Sequence, residues 1–206
     1  MKTISIVSQK GGAGKTTLAL HLAVAAEQAG KPTVIVDLDP QASSAKWGDS
    51  RSQESPVVVS AQSARLAKVL ETAEEQGAVL AILDTAPHSE NSALAAVRAA
   101  DLILIPCRPA ILDLRAIGDT VDLIKLAKKT ATVVLNAVPP RGSLDKEAQD
   151  AVAAYGISVA PVTVGQRAAF THALTEGKVA QEYEPAGKAA EEIKELYMWI
   201  CKQLNM

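Results

Sequence analysis

Aromatic residues are scarce in this 206-residue sequence: Phe, Trp and Tyr make up 3% of it, while hydrophobic residues of all kinds make up 48%. A core with few large rings needs many small aliphatic side chains, packed closely between helices and a sheet. The composition therefore favours a layered α/β protein over an all-β one. The high hydrophobic fraction also excludes a chain that is mainly disordered.

An excess of charge of one sign is lacking as well. The sequence has 21 Lys and Arg residues against 23 Asp and Glu residues, for a net charge of −2. A nearly neutral chain has no global attraction to nucleic acid or to anionic lipid. Any such partner must be bound by a local basic patch.

Cysteines and long hydrophobic runs are also few. Cys107 and Cys201 are far apart and neither lies in a Cys/His cluster, so the sequence indicates neither a disulfide framework nor a zinc site. The first hydrophobic run, residues 3–7, is too short for a signal peptide or a membrane span, and we expect a cytoplasmic protein. The histidines are isolated and are interpreted as structural residues: His21, His88 and His172.

Short apolar, β-branched runs alternate with stretches of helical period along the chain. The predicted strands cover residues 3–7, 33–36, 57–59, 78–83, 102–105, 132–136 and 157–159. The predicted helices cover residues 16–29, 65–76, 91–100, 114–128, 144–155, 167–176 and 186–204, with a short helix and a loop in 43–55. Turns are predicted at 106–109 and 139–142. This alternation predicts a mostly parallel twisted sheet with helices on both faces, in a single domain over residues 1–206.

The most informative segment is Lys10-Gly11-Gly12-Ala13-Gly14-Lys15-Thr16-Thr17, which lies directly between the first strand and the first helix. Glycines allow backbone N–H groups to turn inward around an anion, and the N-terminus of the following helix adds its dipole. Lys15 can reach the β- and γ-phosphates of a nucleotide, and Thr16 can place its hydroxyl on Mg²⁺. The general P-loop pattern expects glycine where this chain has Gln9, and Lys10 is an additional lysine. The segment predicts a nucleotide-binding loop.

Carboxylates follow two of the predicted strands. Asp37 and Asp39 come after the second strand, in the string Asp-Leu-Asp-Pro-Gln, and Asp84 comes after the fourth. Open α/β sheets bind ligands at the carboxyl ends of their strands, and phosphoryl transfer depends on a metal, on positioning and on charge stabilisation. Each of these residues can alternatively be a helix N-cap or a turn residue.

These three motifs, in this order, resemble the ParA/MinD family of deviant Walker A P-loop ATPases, and the alternation of strands and helices fits along nearly the whole chain. The Asp-Leu-Asp-Pro-Gln string resembles the small ParA-type plasmid partition proteins in particular. The resemblance implies ATP or ADP and Mg²⁺ as cofactors. It also implies a homodimer that encloses two ATP molecules, with Lys10 reaching the phosphates of the partner subunit.

The same resemblance implies roles for individual residues. Lys10, Lys15 and Asp39 would be catalytic, with Asp39 orienting or activating the attacking water. Asp113 resembles a residue of the switch segment that senses the γ-phosphate, although a plain helix N-cap is equally open. The implied Mg²⁺ residues are Thr16, Asp37 and Asp84. The implied nucleotide-binding residues are Gly11, Gly12, Ala13, Gly14, Lys15, Thr16, Thr17 and Asn136, the last as an adenine contact.

Partners follow from the resemblance too. ParA-like proteins bind DNA without sequence preference once ATP has dimerised them, and a ParB-like partner protein stimulates hydrolysis. The chain would then segregate a plasmid or other DNA cargo and associate with the nucleoid in its ATP state. Residues that could contact DNA, each of which can also be an ordinary surface charge, are Lys125, Lys128, Lys129, Arg141, Arg167, Lys188, Lys194 and Lys202.

Other functions stay open. A MinD-like ATPase would act at a membrane, but the last predicted helix has acidic residues beside its apolar side, which fits core packing better than membrane binding. A metabolic P-loop ligase or kinase would show a small-molecule pocket motif, and none is evident. A nitrogenase-type reductase would need a cysteine pair that bridges the dimer, and Cys107 and Cys201 do not match that placing. The apolar side of the last helix carries Ile193, Leu196, Tyr197, Ile200 and Leu204.

Overall fold

The computed structural model describes residues 1–140 and 144–206, and side chains outside 141–146. In that part of the chain, the strands form one seven-stranded sheet in the order β3-β2-β4-β1-β5-β6-β7, and every neighbouring pair is parallel. The predicted parallel sheet is confirmed. The strands are β1 (Lys2–Ile6), β2 (Thr33–Asp37), β3 (Val57–Ser60), β4 (Leu80–Asp84), β5 (Leu102–Cys107), β6 (Thr132–Leu135) and β7 (Ser158–Val159).

Helices connect successive strands and cover both faces of the sheet. They are α1 (Lys15–Gln28), α2 (Ser43–Ser50), α3 (Leu66–Glu75), α4 (Glu90–Ala99), α5 (Ile111–Arg115), α6 (Ile117–Leu126), α7 (Leu144–Ala153), α8 (Ala168–Thr175), α9 (Ala180–Tyr183) and α10 (Lys188–Leu204). Most bounds agree with the predicted ones within two residues, which is the usual scatter at helix and strand ends.

The sheet separates two hydrophobic layers because side chains alternate between its faces. Ile4 and Ile82 pack with α1 and α10 on one side. Ile103 and Ile105 pack with α4, α6 and α7 on the other. The abundant alanines of α1 allow this helix to lie close to the strands, and Ala19, Ala23 and Ala26 are fully buried.

The apolar side of α10 belongs to the core. Ile193, Leu196, Tyr197, Ile200 and Leu204 are all buried, and they pack against α1. The prediction of core packing for this helix is confirmed. Within the described residues, no helix is long and apolar enough to cross a bilayer.

The turn predicted at 106–109 was wrong in its first half. Pro106 and Cys107 are the last residues of β5, where they pair with Val134 and Leu135 of β6. Pairing between β5 and β1 ends at Leu104, so Pro106 lies where the strand has only one neighbour. A proline is tolerated there because no ladder hydrogen bond is lost on the open side.

The helix predicted over 114–128 is two helices, α5 and α6, with Ala116 between them. Helix α5 begins at Ile111, three residues earlier than predicted. Only Ala110 separates Ile111 from Pro109, and it is not a turn-forming residue. The short helix α9 was not predicted, since four residues are too few to show a helical period. In the loop predicted at 139–142, Arg141 and Gly142 lie outside the described residues.

Candidate nucleotide-binding site

The glycine-rich loop leaves β1 at the carboxyl edge of the sheet, at a point where the direction of strand addition reverses. β1 has β4 on one side and β5 on the other. A reversal of this kind opens a crevice at the strand ends, where α/β proteins bind ligands. Asp37 and Asp84 end two neighbouring strands and are direct partners in the ladder. The fold therefore brings the loop and these two carboxylates together.

The loop has the backbone conformation that its glycines permit. Gly12 has a φ of 73° and Gly14 a φ of 98°, in the left-handed region that other residues rarely adopt. A Cβ atom on Gly14 would also lie 2.1 Å from Asn136 Nδ2, so only glycine fits beside this side chain. Asn136 Nδ2 donates a hydrogen bond to the carbonyl of Ala13 at 2.8 Å. The amide of Asn136 thus holds the loop in place, while its contact with adenine stays a prediction.

Lys15 begins α1 and is buried. Its Nζ donates to the carbonyl oxygens of Ser8 at 3.0 Å and of Lys10 at 3.1 Å. Burial lowers the pKa of Lys15, and the charges of Asp84 and Asp39 oppose that shift. An ammonium held by loop carbonyls, at a helix N-terminus, is suited to bind the phosphates of a nucleotide.

Thr16 and Asp84 form the core of the predicted metal site. Asp84 Oδ2 accepts hydrogen bonds from Thr16 Oγ1 at 2.7 Å and from Ser44 Oγ at 2.8 Å, whereas its buried Oδ1 has no hydrogen-bond partner. Burial raises the pKa of Asp84 to about 6. A buried carboxylate oxygen without a partner calls for a cation or a water bound to one, so these residues fit Mg²⁺.

The rest of the Mg²⁺ shell must come from elsewhere. Among the residues described, no group of three or more His, Cys, Asp or Glu could hold a metal ion. Mg²⁺ usually keeps several waters and uses one or two carboxylates together with substrate phosphates. The donor set of Thr16 and Asp84 therefore fits a metal that arrives with a nucleotide.

Asp37 has the turn and capping contacts that the sequence left open as its alternative role. Its Oδ1 accepts the N–H of Asp39 at 3.0 Å, and its Oδ2 accepts the N–H of Ala45, in the first turn of α2, at 3.1 Å. Burial raises the pKa of Asp37. The residue fixes the backbone that carries Asp39, and its support of a Mg²⁺ shell stays a prediction.

Asp39 is half-buried and lines a cavity of about 370 Å³. Its Oδ1 accepts the N–H of Gln41 at 2.9 Å, which orients the carboxylate. The other residues that line this cavity are Gly11, Gly12, Gly14, Lys15, Thr16, Thr17, Pro87 and Arg108. The cavity thus gathers most of the residues predicted to bind the nucleotide.

Lys10 lies at the exposed side of the loop. Its Nζ forms an ion pair with Asp113 Oδ2 at 3.0 Å, and about a third (34%) of the lysine side chain is exposed. Asp113 lies inside α5, whose N-cap is Ala110, so the interpretation of Asp113 as an N-cap was wrong. The ion pair instead joins the loop to the segment that follows β5.

Two residues of this site were missed in the sequence. Ser44 donates to Asp84, but nothing marks it among the other serines that follow Asp39. Arg108 lines the cavity directly after β5. Its position after a buried strand, like that of the aspartates, is a signal that could have identified it.

The basic residues considered for DNA binding do not form one surface in a single copy. Arg167 is paired with Glu192, and Lys129 Nζ donates to the carbonyl of Ala100 at 2.9 Å. Lys125 and Lys128 lie at the end of α6, on the opposite face of the sheet from α10. Arg141 lies outside the described residues. The lysines exposed on α10 are Lys188, Lys194 and Lys202.

A parallel sheet whose first strand leads through a glycine-rich, lysine-bearing loop into a helix, with a buried aspartate on the neighbouring strand, defines the P-loop class of nucleotide-binding proteins. The profile of the CobQ/CobB/MinD/ParA nucleotide binding domain matches residues 4–180. The chain belongs to this family, and it is an ATPase domain of the ParA/MinD kind.

Several relatives resemble it over most of their length. "Maintenance of carboxysome distribution protein A" of Halothiobacillus neapolitanus is 30% identical, over 94% of both chains. The protein of the same name from Gloeobacter kilaueensis is 33% identical, over 99% of this chain and 94% of the relative. The chromosome partitioning protein ParA of Caulobacter vibrioides is 25% identical, over 89% of this chain and 88% of the relative.

The fold is shared with a solved relative. The septum site-determining protein MinD of Pyrococcus horikoshii, in complex with Mg-ADP, superposes with a TM-score of 0.76 at 20% identity, over 98% of this chain and 97% of the other. That complex agrees with the expectation that ADP or ATP and Mg²⁺ are the cofactors of this fold.

Proposed function

We propose that this chain is a positioning ATPase of the ParA type. Mg-ATP binding drives two copies to dimerise face to face, the dimer binds DNA without sequence preference, and slow hydrolysis, stimulated by a partner protein, returns it to monomers. The observation that carries this proposal is the placing of two lysines on one loop: Lys15 buried against the loop carbonyls and Lys10 at its exposed side.

The position of Lys10 supports dimerisation. Lys15 already occupies the buried end of the loop, so a second lysine is not needed to hold the same phosphates. Lys10 points instead to Asp113, at an accessible edge of the site. From there its ammonium can reach the phosphates of a second copy, and the attraction grows as the interface excludes water.

Hydrolysis would depend on positioning by the chain's own side chains. Lys15 and the loop N–H groups bind the phosphates, Thr16 and Asp84 hold Mg²⁺, and Asp39 orients the attacking water from the wall of the cavity. Bound Mg²⁺ would neutralise charge on the phosphate oxygens. Asp37 keeps Asp39 in place through its hydrogen bond to the Asp39 N–H.

Binding to DNA rests on the family resemblance and on the exposed lysines. In a monomer these lie on both faces of the sheet, and a symmetric dimer doubles each of them. Arg167 contributes less than its sequence position suggested, because Glu192 neutralises it. We therefore expect DNA binding to need the ATP dimer and to weaken steeply with salt.

The experiment that tests this proposal measures binding of the purified protein to a mixed-sequence DNA duplex with ATP, with ADP and without nucleotide, at two salt concentrations. Liposomes of anionic lipid serve as the alternative surface. ATP-specific, salt-sensitive DNA binding supports the proposal. Binding to liposomes alone would favour a membrane-positioning ATPase, and binding to neither surface would leave an ATPase with another target.

The cargo has a second candidate besides a plasmid. Two relatives that match nearly the whole chain are named for the distribution of carboxysomes, which favours a protein assembly as the object that is positioned. Deletion of the gene separates the two. Loss of plasmids from dividing cells indicates a DNA cargo, whereas clustered protein compartments with stable plasmids indicate a protein cargo.

A further inference from the structure

Arg108 is a cation of the nucleotide site that the three sequence motifs do not include. It lines the same cavity as the loop and Asp39. Its guanidinium lies over the loop: Nη2 is 4.0 Å from the position that a Cβ atom on Gly12 would take. The side chain is therefore directed along the phosphate-binding loop.

The backbone of Arg108 is held firmly although its side chain is exposed. Cys107 and Pro109, on either side of it, are buried. The carbonyl of Cys107 accepts the N–H of Asn136 at 2.8 Å, and Asn136 also holds the loop through Ala13. Asn136 thus positions both the loop and the backbone next to Arg108. This fixed placement favours a ligand-binding role for Arg108 over that of a mobile surface charge.

None of the carboxylates that the structure describes compensates the charge of Arg108. Lys10 is paired with Asp113, and Lys15 donates to loop carbonyls. Among the side chains of residues 1–140 and 147–206, no carboxylate forms an ion pair with Arg108. A guanidinium offers planar N–H donors that match two phosphate oxygens at once. A guanidinium on the wall of a phosphate cavity, with no ion pair to a described carboxylate, is suited to bind a phosphate group.

We propose that Arg108 binds the terminal phosphate of ATP within its own subunit and so makes the site prefer ATP to ADP. The inference rests on the proposed function, in which Asp39 orients water toward that phosphate. Arg108 and Asp39 line the cavity together with Gly11 and Gly12, at the start of the loop. The terminal phosphate is the only part of the nucleotide that ATP has and ADP lacks.

The test compares the binding of Mg²⁺ complexes of a non-hydrolysable ATP analogue and of ADP by isothermal titration calorimetry. For Arg108→Gln, we expect affinity for the ATP analogue to fall by about ten- to a hundredfold, the usual effect of losing a charge-assisted hydrogen bond, and affinity for ADP to change by less than about twofold. Arg108→Lys should recover part of the loss, because it keeps the charge without the planar fork.

Arg115→Gln is the matched control, since Arg115 is an exposed arginine at the end of α5 that does not line the cavity. Both nucleotides should bind it as tightly as they bind the unmodified chain. Each variant is also measured in a Lys10→Ala background, which we expect to keep the protein monomeric because Lys10 is the proposed contact to the second copy; light scattering checks this. The selective loss should persist there if the contact lies within one subunit.

Three results would overturn the inference. Equal losses for ADP and the ATP analogue would place Arg108 on the shared phosphates, and no loss would make it a solvated charge. A loss that vanishes in the Lys10→Ala background would place the contact across the dimer. Failure of the proposed function is distinct, because the unmodified chain would then show no ATP-specific DNA binding, whatever the nucleotide preference of the Arg108 variants.

Discussion

At the scale of single residues, the site contains buried groups of opposite charge that do not form a direct ion pair with each other. Lys15 and Asp84 are both buried and influence each other's pKa, but each makes its hydrogen bonds to neutral groups. A buried charge with no direct counter-ion is costly unless a ligand completes its surroundings. Binding of a polyanion and its metal would offset this cost, and the arrangement therefore favours binding of both.

Lys15→Ala should remove nucleotide binding. The variant loses the ammonium that meets the phosphates, and at about 1.5–3 kcal/mol per charge-assisted hydrogen bond we expect Mg-ATP affinity to fall at least a hundredfold. Calorimetric titration measures this, with circular dichroism to check folding. Lys68→Ala, at an exposed lysine of α3, is the control. Retained affinity in the Lys15 variant would place the nucleotide elsewhere.

Asp113→Asn should favour the ATP dimer. Lys10 is paired with Asp113 in the single copy, and on the proposed function this ion pair would have to break for the lysine to reach a second copy. For a partly exposed pair worth up to about 1 kcal/mol, the ATP concentration needed for half-maximal dimerisation should fall by about two- to fivefold. Light scattering during an ATP titration measures it, and Asp122→Asn, an exposed carboxylate of α6, is the control. Weaker dimerisation of the Asp113 variant would mean that this carboxylate acts in the dimer itself.

At the scale of elements, His21 joins the helix that begins at the phosphate loop to the later part of the chain. Its Nδ1–H donates to the carbonyl of Thr17 at 2.6 Å, and its Nε2 accepts the N–H of Ala180 at 3.0 Å. Its ring also meets that of Phe170 edge-on. This pattern needs neutral imidazole, so His21 is structural, as the sequence predicted.

Stability should fall in mild acid because of His21. Burial lowers its pKa to about 4 from 6.5, so below pH 6.5 the unfolded chain binds a proton that the folded protein does not. Between pH 7.5 and pH 5 this should remove about 2 kcal/mol of the free energy of unfolding, measured by chemical denaturation.

The matched variants are His21→Gln and His172→Gln. His21→Gln should be less stable at pH 7.5, but its free energy of unfolding should no longer show the fall of about 2 kcal/mol between pH 7.5 and pH 5. His172 is exposed, so His172→Gln should keep the pH dependence of the unmodified chain. An unchanged pH dependence in His21→Gln would assign the effect to other groups.

At the scale of the whole molecule, one sheet carries the loop, the carboxylates and Arg108 on a single edge, which leaves that edge open for a second copy. The elements that form it come from strands far apart in sequence: β1, β2, β4 and β5. Dimerisation on this edge would enclose the cavity beside Asp39.

Asp39→Ala should separate dimerisation from turnover. The half-buried carboxylate lies on the cavity wall and accepts a hydrogen bond from the nearby Gln41 N–H, so we expect the fold and ATP binding to survive its loss. Phosphate release should slow by about a hundredfold or more, as for loss of a general base. Light scattering should show a dimer that persists with ATP. Asp49→Ala, an exposed carboxylate of α2, is the control. Undiminished turnover would reject the catalytic role of Asp39.

Much of this protein follows from local sequence. The apolar runs specify the strands and helices, because the periodicity of buried residues within each segment is enough to identify it. The loop 10–17 can be identified as a phosphate-binding loop because its functional residues are adjacent in the chain. Pro106 shows the limit: its place in β5 depends on where the neighbouring strand stops, which no local pattern contains.

Contacts between distant residues were decided only by the tertiary structure. Gly14 fits against Asn136, Ser44 donates to Asp84, and Arg108 lies over Gly12, across separations far longer than any local period. The sequence by itself determined the layers, the loop and the class of ligand, since these depend on neighbouring residues. The packing of the sheet decided which side chains surround that ligand and which charges remain unpaired, because only folding brings the strand ends to one edge.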